Sequence, residues 1–157
     1  MKKNLFITQG ALIGGLYVVL TMVSQSLGLA SGAIQLRFSE ALTILPCFTP
    51  AAIPGLFVGC IVSNLLAGSL PADVVFGSIA TLIGAIGTRK LRNNKYLAVL
   101  PPIISNTVII PFVLKFAYAI PGSAWYFALT VFAGEFISAG IFGYLLLTAL
   151  NKRLPRT

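Results

Sequence analysis

Long apolar runs broken by short polar, proline- or glycine-containing joints make up almost all of this chain. Residues 5–30 are apolar enough to cross a bilayer as a helix, which takes about 20 such residues. Residues 39–49 and 52–67 are two shorter apolar segments separated at Thr49-Pro50. Read as one segment, they would be too long for a single upright helix and would hold three prolines, each lacking a backbone donor and disfavouring helix in the residue before it. Residues 74–88, 96–118 and 124–150 complete six predicted spans, joined by Gly68-Ser-Leu-Pro-Ala-Asp73, Arg89-Lys-Leu-Arg-Asn-Asn-Lys95 and Ala119-Ile-Pro-Gly-Ser123. Leu29-Ala-Ser-Gly32 resembles a signal-peptide cleavage site, but the run before it exceeds a signal core, so a retained helix is expected.

The polar interruptions orient the pattern. Met1-Lys-Lys-Asn4, Arg89–Lys95 and Lys152-Arg-Leu-Pro-Arg156 are the basic clusters. Six spans put all three on one face, which the positive-inside rule makes cytoplasmic. Five spans would set the first cluster opposite the other two. The expectation is an all-α membrane protein: one domain over residues 1–157, a six-transmembrane-helix bundle with both termini in the cytoplasm.

Composition supports that class. Of 157 residues, 57% are hydrophobic and 9% charged, a balance foreign to soluble domains. The net charge of +8 lies in the joints, so it needs no nucleic acid to explain it. Histidine is absent, and Cys47 and Cys60 stand alone without paired spacing, which argues against a zinc site or histidine-dependent catalysis. A phosphate-binding GxxxxGK[ST], a GxSxG and an HExxH are all missing, so neither ATP binding by this chain nor familiar hydrolase chemistry is expected.

Charged and amide side chains at membrane depth are costly and call for a reason. Glu135 lies inside the last span, between Gly134 and the Phe136-Ile-Ser138 stretch. It either serves a ligand or pairs structurally with Lys115, Arg37 or a neutral donor. Arg37 and Glu40 sit at the start of the second span, where they can also pair with each other, and Ser39 is suited to cap that helix. Asp73 opens the fourth span, and Asn64, Thr81 and Asn106 are polar positions within spans. Trp125, Tyr126 and Tyr118 suit an aromatic belt or stacking on a flat ligand. Gly10 with Gly14, and Ala11 with Gly15, form a small-residue face on the first helix. That face fits close packing inside the bundle or a partner helix.

Ser39-Glu-Ala-Leu42, Leu45-Pro46, Ala52-Ile-Pro-Gly-Leu56, Gly59, Asn64, Asp73 and Phe76-Gly-Ser-Ile-Ala-Thr-Leu82 resemble the QueT-type family. These are substrate-binding S components of energy-coupling factor (ECF) transporters, associated with uptake of queuosine precursors. The resemblance implies a transmembrane coupling subunit, two cytoplasmic ATPases that alone use ATP, a bacterial plasma-membrane location, no cofactor of the chain's own, and import by toppling. The class docks through an AxxxA face on its first helix; here Ala11 fits the first position and Gly15 replaces the second alanine, with Gly14 beside it. For a 7-deazaguanine ligand, the resemblance and the residues together nominate Arg37, Glu40, Asp73, Asn106, Trp125, Tyr126 and Glu135 as the binding set. Glu135 would accept from the paired N–H and amine of the ring edge, because two acceptors match two donors. Asn106 would read the remaining edge, and Asp73 or Glu40 would hold an aminomethyl cation. A competing reading is a small proton-coupled exporter acting through Glu135; an intramembrane enzyme lacks a nucleophile and a histidine.

Overall fold

The computed structural model describes residues 2–29, 35–119 and 121–153. The small-residue stretch at 30–32, the rest of the 30–34 connection, Ile120 and residues 154–156 of the last basic cluster therefore lie outside the described residues. Every element among those described is helical. They are α1 (Lys2–Ser26), a 3-10 helix (Phe38–Cys47), α2 (Ala52–Leu66), α3 (Pro71–Lys90), α4 (Leu100–Phe112), α5 (Ala124–Glu135) and α6 (Gly143–Asn151). Two π-helical stretches extend these rods. Val113–Ala117 prolongs α4, and Phe136–Phe142 joins α5 to α6.

Four helices are long and apolar enough to cross a membrane: Lys3–Ser26, Pro71–Lys90, Leu100–Ala117 and Ala124–Asn151. The 3-10 helix and α2 are shorter. Large apolar side chains point outward along the bundle, among them Leu5, Leu12, Val19, Val58, Ile83, Val108 and Leu145. Such an apolar exterior is what a lipid solvent selects.

Contacts define two ends. At one, the Thr49 hydroxyl donates to Gln9 Oε1 at 2.8 Å, Arg89 donates to the Pro46 carbonyl at 3.0 Å, and the Thr88 hydroxyl donates to the Ala98 carbonyl at 2.8 Å. At the other, the Phe38 amide donates to Ser24 Oγ at 2.9 Å, Gln25 reaches the Ala67 carbonyl, and the Leu70 amide donates to the Tyr118 hydroxyl oxygen at 3.3 Å. The six helical segments therefore alternate in direction between the ends. The early part of α1, the Arg89–Lys95 loop and the end of α6 share the first, basic end.

The 3-10 geometry has a physical reason. On α1, the positions bonded to either end of the descending segment are Gln9 and Ser24, about 22 Å apart at 1.5 Å per residue. Ten residues of α-helix would cover about 15 Å, whereas the 3-10 rise of about 2.0 Å per residue covers about 20 Å. Arg37, rather than the expected Ser39, occupies the N-cap, and it makes no side-chain cap bond. Ser39 instead accepts from the Thr21 hydroxyl at 2.8 Å, tying the 3-10 helix to α1.

Because the 3-10 helix descends between them, α1 and α2 run parallel, and they touch backbone to backbone. A Cβ on Gly14 would lie 2.9 Å from the Gly55 carbonyl oxygen, and one on Gly55 would lie 2.5 Å from that of Gly10. The inward stripe of α1 is Gly10, Gly14, Tyr17, Thr21 and Ser24, alternating steps of four and three along one helical face. The α2–α3 turn closes with a Schellman arrangement: Ser69 and Gly68 amides donate to the Asn64 and Leu65 carbonyls at 3.0 and 3.1 Å. Gly68 takes the left-handed conformation this requires (φ +70°).

Candidate functional site in the polar interior

The end of the bundle opposite the basic loops holds a buried polar cluster. Its roof is the extended segment 35–37 with the start of the 3-10 helix. This strap is pinned on both sides: the Phe38 amide donates to Ser24 of α1, and the Arg37 amide donates to Ser138 Oγ at 3.2 Å. Gly134 makes the crossing possible, since any Cβ there would collide with the Gln35 carbonyl. The glycine next to Glu135 thus lets backbone, rather than a side chain, lie against α5.

Beneath the strap, Gln35, Arg37, Asn106, Ile110, Val131 and Glu135 line a cavity of about 20 Å³. Asn106, 4% exposed, lies within hydrogen-bonding reach of Glu135. Glu135 Oε2 is buried without a hydrogen-bond partner. Glu40, 2% exposed, accepts the Tyr17 hydroxyl through Oε1, while its Oε2 is also buried and unpartnered. Arg37 interacts electrostatically with Glu40, Asp73 and Glu135. Buried polar atoms are nearly always hydrogen-bonded, so two carboxylate oxygens buried without a partner make this region a candidate site.

The local backbone reinforces this. Glu135 is the last α-helical residue before the seven-residue π stretch, which contains Ser138. Wide π turns inside α-helices recur at functional positions. In α4, Pro111 cannot donate backward, and the π stretch Val113–Ala117 follows it. It leads to Tyr118, whose hydroxyl donates to Asp73 Oδ2 at 3.1 Å. Asn64 Nδ2 and Asp73 Oδ1 both border the notch at Gly77. Asn64 also contacts Cys60 Sγ, as does the Thr81 hydroxyl.

The structure thus gathers Arg37, Asn106 and Glu135 around the cavity, with Glu40 and Asp73 near enough to act electrostatically on Arg37. Trp125 and Tyr126 are not part of this group. They stand exposed on the first turn of α5, Trp125 at 74%, where the Tyr126 ring meets Phe127 edge-on. Lys115 is exposed above the Phe116 ring, 5.6 Å from its centre, so the alternative pairing with Glu135 is not made. The small-residue face divides. Gly14 is buried against α2, whereas Ala11 and Gly15 are exposed, and nothing lies within 4 Å of a Cβ on Gly15. Ala11 and Gly15 border an apolar groove of about 490 Å³ between α1 and α2.

Sequence reasoning missed Tyr17, Thr21, Ser24 and Ser138. The first three were findable: they follow one another at helical spacing on one face of an otherwise apolar run. Ser138 lies in a π stretch, where that spacing fails.

The described helices thus form a membrane protein with a polar interior and a small cavity. The family model described as "QueT transporter" matches residues 7–152, and the chain belongs to the QueT transporter family. A curated relative, the Queuosine precursor transporter QueT of Lactococcus lactis subsp. cremoris (strain MG1363), is 36% identical over 82 residues. That alignment covers 52% of this chain and 48% of the relative, so the chain matches about half the relative's length. No solved structure matches the chain.

Proposed function

We propose that the chain is the substrate-binding membrane subunit of an ECF-type importer in a bacterial plasma membrane. It binds a queuosine precursor of the 7-deazaguanine class from outside and hands it inward by toppling. The observation that carries this reading is the Glu135–Asn106–Arg37 cavity with its unpartnered carboxylate oxygen. A 7-deazaguanine presents an N–H beside an exocyclic amine; a carboxylate accepts from both, and an adjacent amide offers the donor and acceptor the rest of the edge needs. The family membership and the relative's printed name supply the ligand class.

A cavity of about 20 Å³ holds on the order of one water. Ligand entry therefore requires the 35–38 strap to lift from Ser24 and Ser138, and closure restores those two bonds over the bound ring. With the basic end cytoplasmic, the strap faces outward and the six helical segments make six crossings. Ala11 and Gly15 offer the groove beside α1 to a helix of the coupling subunit, which works with two cytoplasmic ATPases.

Purified chain in nanodiscs should bind the ligand alone, and proteoliposomes should accumulate it only with ATP and the partner subunits. Accumulation driven by a proton gradient in the chain alone would favour the exporter reading and overturn this one. Cysteine labelling should reach Asn94 and Ser123 positions from opposite sides of the membrane; labelling of both from one side would remove the six-crossing arrangement.

A further inference from the structure

A second apolar groove, of about 540 Å³, runs along the outside of the α3–α4 pair. Its walls include Ala72 and Phe76 of α3, with Val108, Phe112, Phe116 and Ala117 of α4 and its π extension. Every side chain that lines it is apolar, and Phe76, Val108, Phe112 and Phe116 are exposed. The Phe112 and Phe116 rings stack nearly parallel, with centres 6.4 Å apart. The volume falls in the range of about 300–1,000 Å³ typical of small-molecule sites.

The groove has a defined depth. Ala72 and Ala117 stand next to the strap-end contact in which the Leu70 amide donates to the Tyr118 hydroxyl oxygen. From Ala117 back to Val108 the wall runs roughly 13 Å, at about 1.5 Å per residue. A hydrocarbon core of about 30 Å gives each leaflet about 15 Å. The groove thus starts at the strap-end interface and spans the depth of one leaflet.

Its mouth carries a charge. Among the described residues, Lys115 is the one exposed lysine or arginine outside the basic clusters. Its ammonium lies 5.6 Å from the centre of the Phe116 ring, the same ring that lines the groove. Glu40, Asp73 and Glu135 are drawn inward, to Tyr17, Tyr118 and Asn106 respectively. The Lys115 ammonium therefore has no carboxylate partner among the described residues. A lysine near the end of a membrane helix carries its charge to the headgroup level, where the available anion is a lipid phosphate.

We propose that this groove binds one phospholipid of net negative headgroup, its acyl chain along Phe76, Phe112 and Phe116 and its phosphate on Lys115. Phe116 serves both parts, as a wall for the chain and a shelf for the ammonium. That juxtaposition matches an amphiphile charged at one end. A zwitterionic headgroup offsets its phosphate with its own cation, so Lys115 attracts it less. This site is separate from the polar cavity and does not depend on the ligand held there.

The test places a fluorescent reporter in the groove of the full chain, Phe76→Trp with Trp125→Phe to remove the native signal. The protein is reconstituted in phosphatidylcholine vesicles. A small, equal fraction of brominated lipid is then added, either phosphatidylglycerol or phosphatidylcholine with identical chains. Quenching should show phosphatidylglycerol favoured by about fivefold, the scale of one lysine at an anionic headgroup. Lys115→Gln should bring the two lipids to within about 1.5-fold. A reporter at Val19, exposed on α1 at comparable depth, should show no preference. Equal quenching by the two lipids at Phe76→Trp overturns the proposal, and so does quenching by neither. An equal preference at Val19→Trp reduces it to general surface charge and overturns the site. Preference that survives Lys115→Gln removes the headgroup contact and the proposal with it. The lipid comparison with Lys115 in place decides even if Lys115→Gln does not fold.

Discussion

The two ends of the bundle differ in charge, and among the described residues only the strap end keeps carboxylate oxygens buried without a partner. At the basic end, polar groups are matched: Thr88 donates to Ala98, Arg89 to Pro46, Thr49 to Gln9, and Cys47 Sγ lies 3.9 Å from the Thr88 carbonyl. Ile44, Phe48, Ala98 and Leu147 pack around them. At the strap end, Glu40 and Glu135 each keep an oxygen buried without a partner. A buried unsatisfied acceptor costs about 1–3 kcal/mol, more when charged. The basic end therefore satisfies the polar groups named here, while the strap end retains two buried carboxylate oxygens without a partner.

The sharpest way to break this contrast is at the α1–α2 seam that supports both ends. Gly55→Leu places a side chain against the Gly10 backbone, which has nowhere to retreat within the pair. Overpacking of this kind costs about 1–3 kcal/mol and more where backbone must move, so the variant should lose monodisperse elution and thermal stability. Gly15→Leu, one helix face away with open space around it, should keep both and also keep ligand binding, but fail to co-purify with the coupling subunit. Normal assembly of Gly15→Leu would return that groove to lipid.

At the basic end, Arg89→Ala removes a charged donor from the Pro46 carbonyl and should lower stability by about 1–2 kcal/mol. Thermal denaturation would register the loss, while ligand affinity should stay within about twofold, because the contact belongs to the matched end. The smallest effect is expected from Trp125→Ala. An exposed side chain outside the cavity should change affinity by less than about 0.5 kcal/mol. A tenfold loss in titration would mean that Trp125 folds over the bound ring and that the closed site is larger than the cavity described.

Much of the architecture is legible in the sequence because lipid imposes simple rules. The apolar runs at 74–88 and 124–150 predict the helices Pro71–Lys90 and Ala124–Asn151 closely, since charge and proline punctuate them. The predicted 96–118 run begins at Leu100 instead; before it, the Asn94 side chain accepts from the Tyr96 amide and holds a turn. The 3-10 form of Phe38–Cys47 has no signal in its residues, because the depth it must match is set by α1. Within the candidate site, Arg37, Glu40, Asn106 and Glu135 stand out because polar groups at membrane depth are rare. Ser138 does not, because a small hydroxylated residue is ordinary there, and only the fold shows that it holds the strap; Tyr17 is marked only by its spacing with Thr21 and Ser24, and the fold shows that it holds Glu40. Trp125 and Tyr126 show the converse. Aromatic residues near a joint suit a belt and a stacking platform equally, and sequence has no means of choosing.

The central claim is that the unpartnered carboxylate under the strap is the ligand's anchor. Calorimetric titration of native chain and Glu135→Gln with a 7-deazaguanine, both monodisperse and equally stable to heat, tests it most directly. The substitution turns one acceptor into a donor facing a donor, so affinity should fall by about 2–3 kcal/mol, roughly 30- to 150-fold. Undiminished affinity in Glu135→Gln would make that carboxylate a structural group and place the ligand elsewhere.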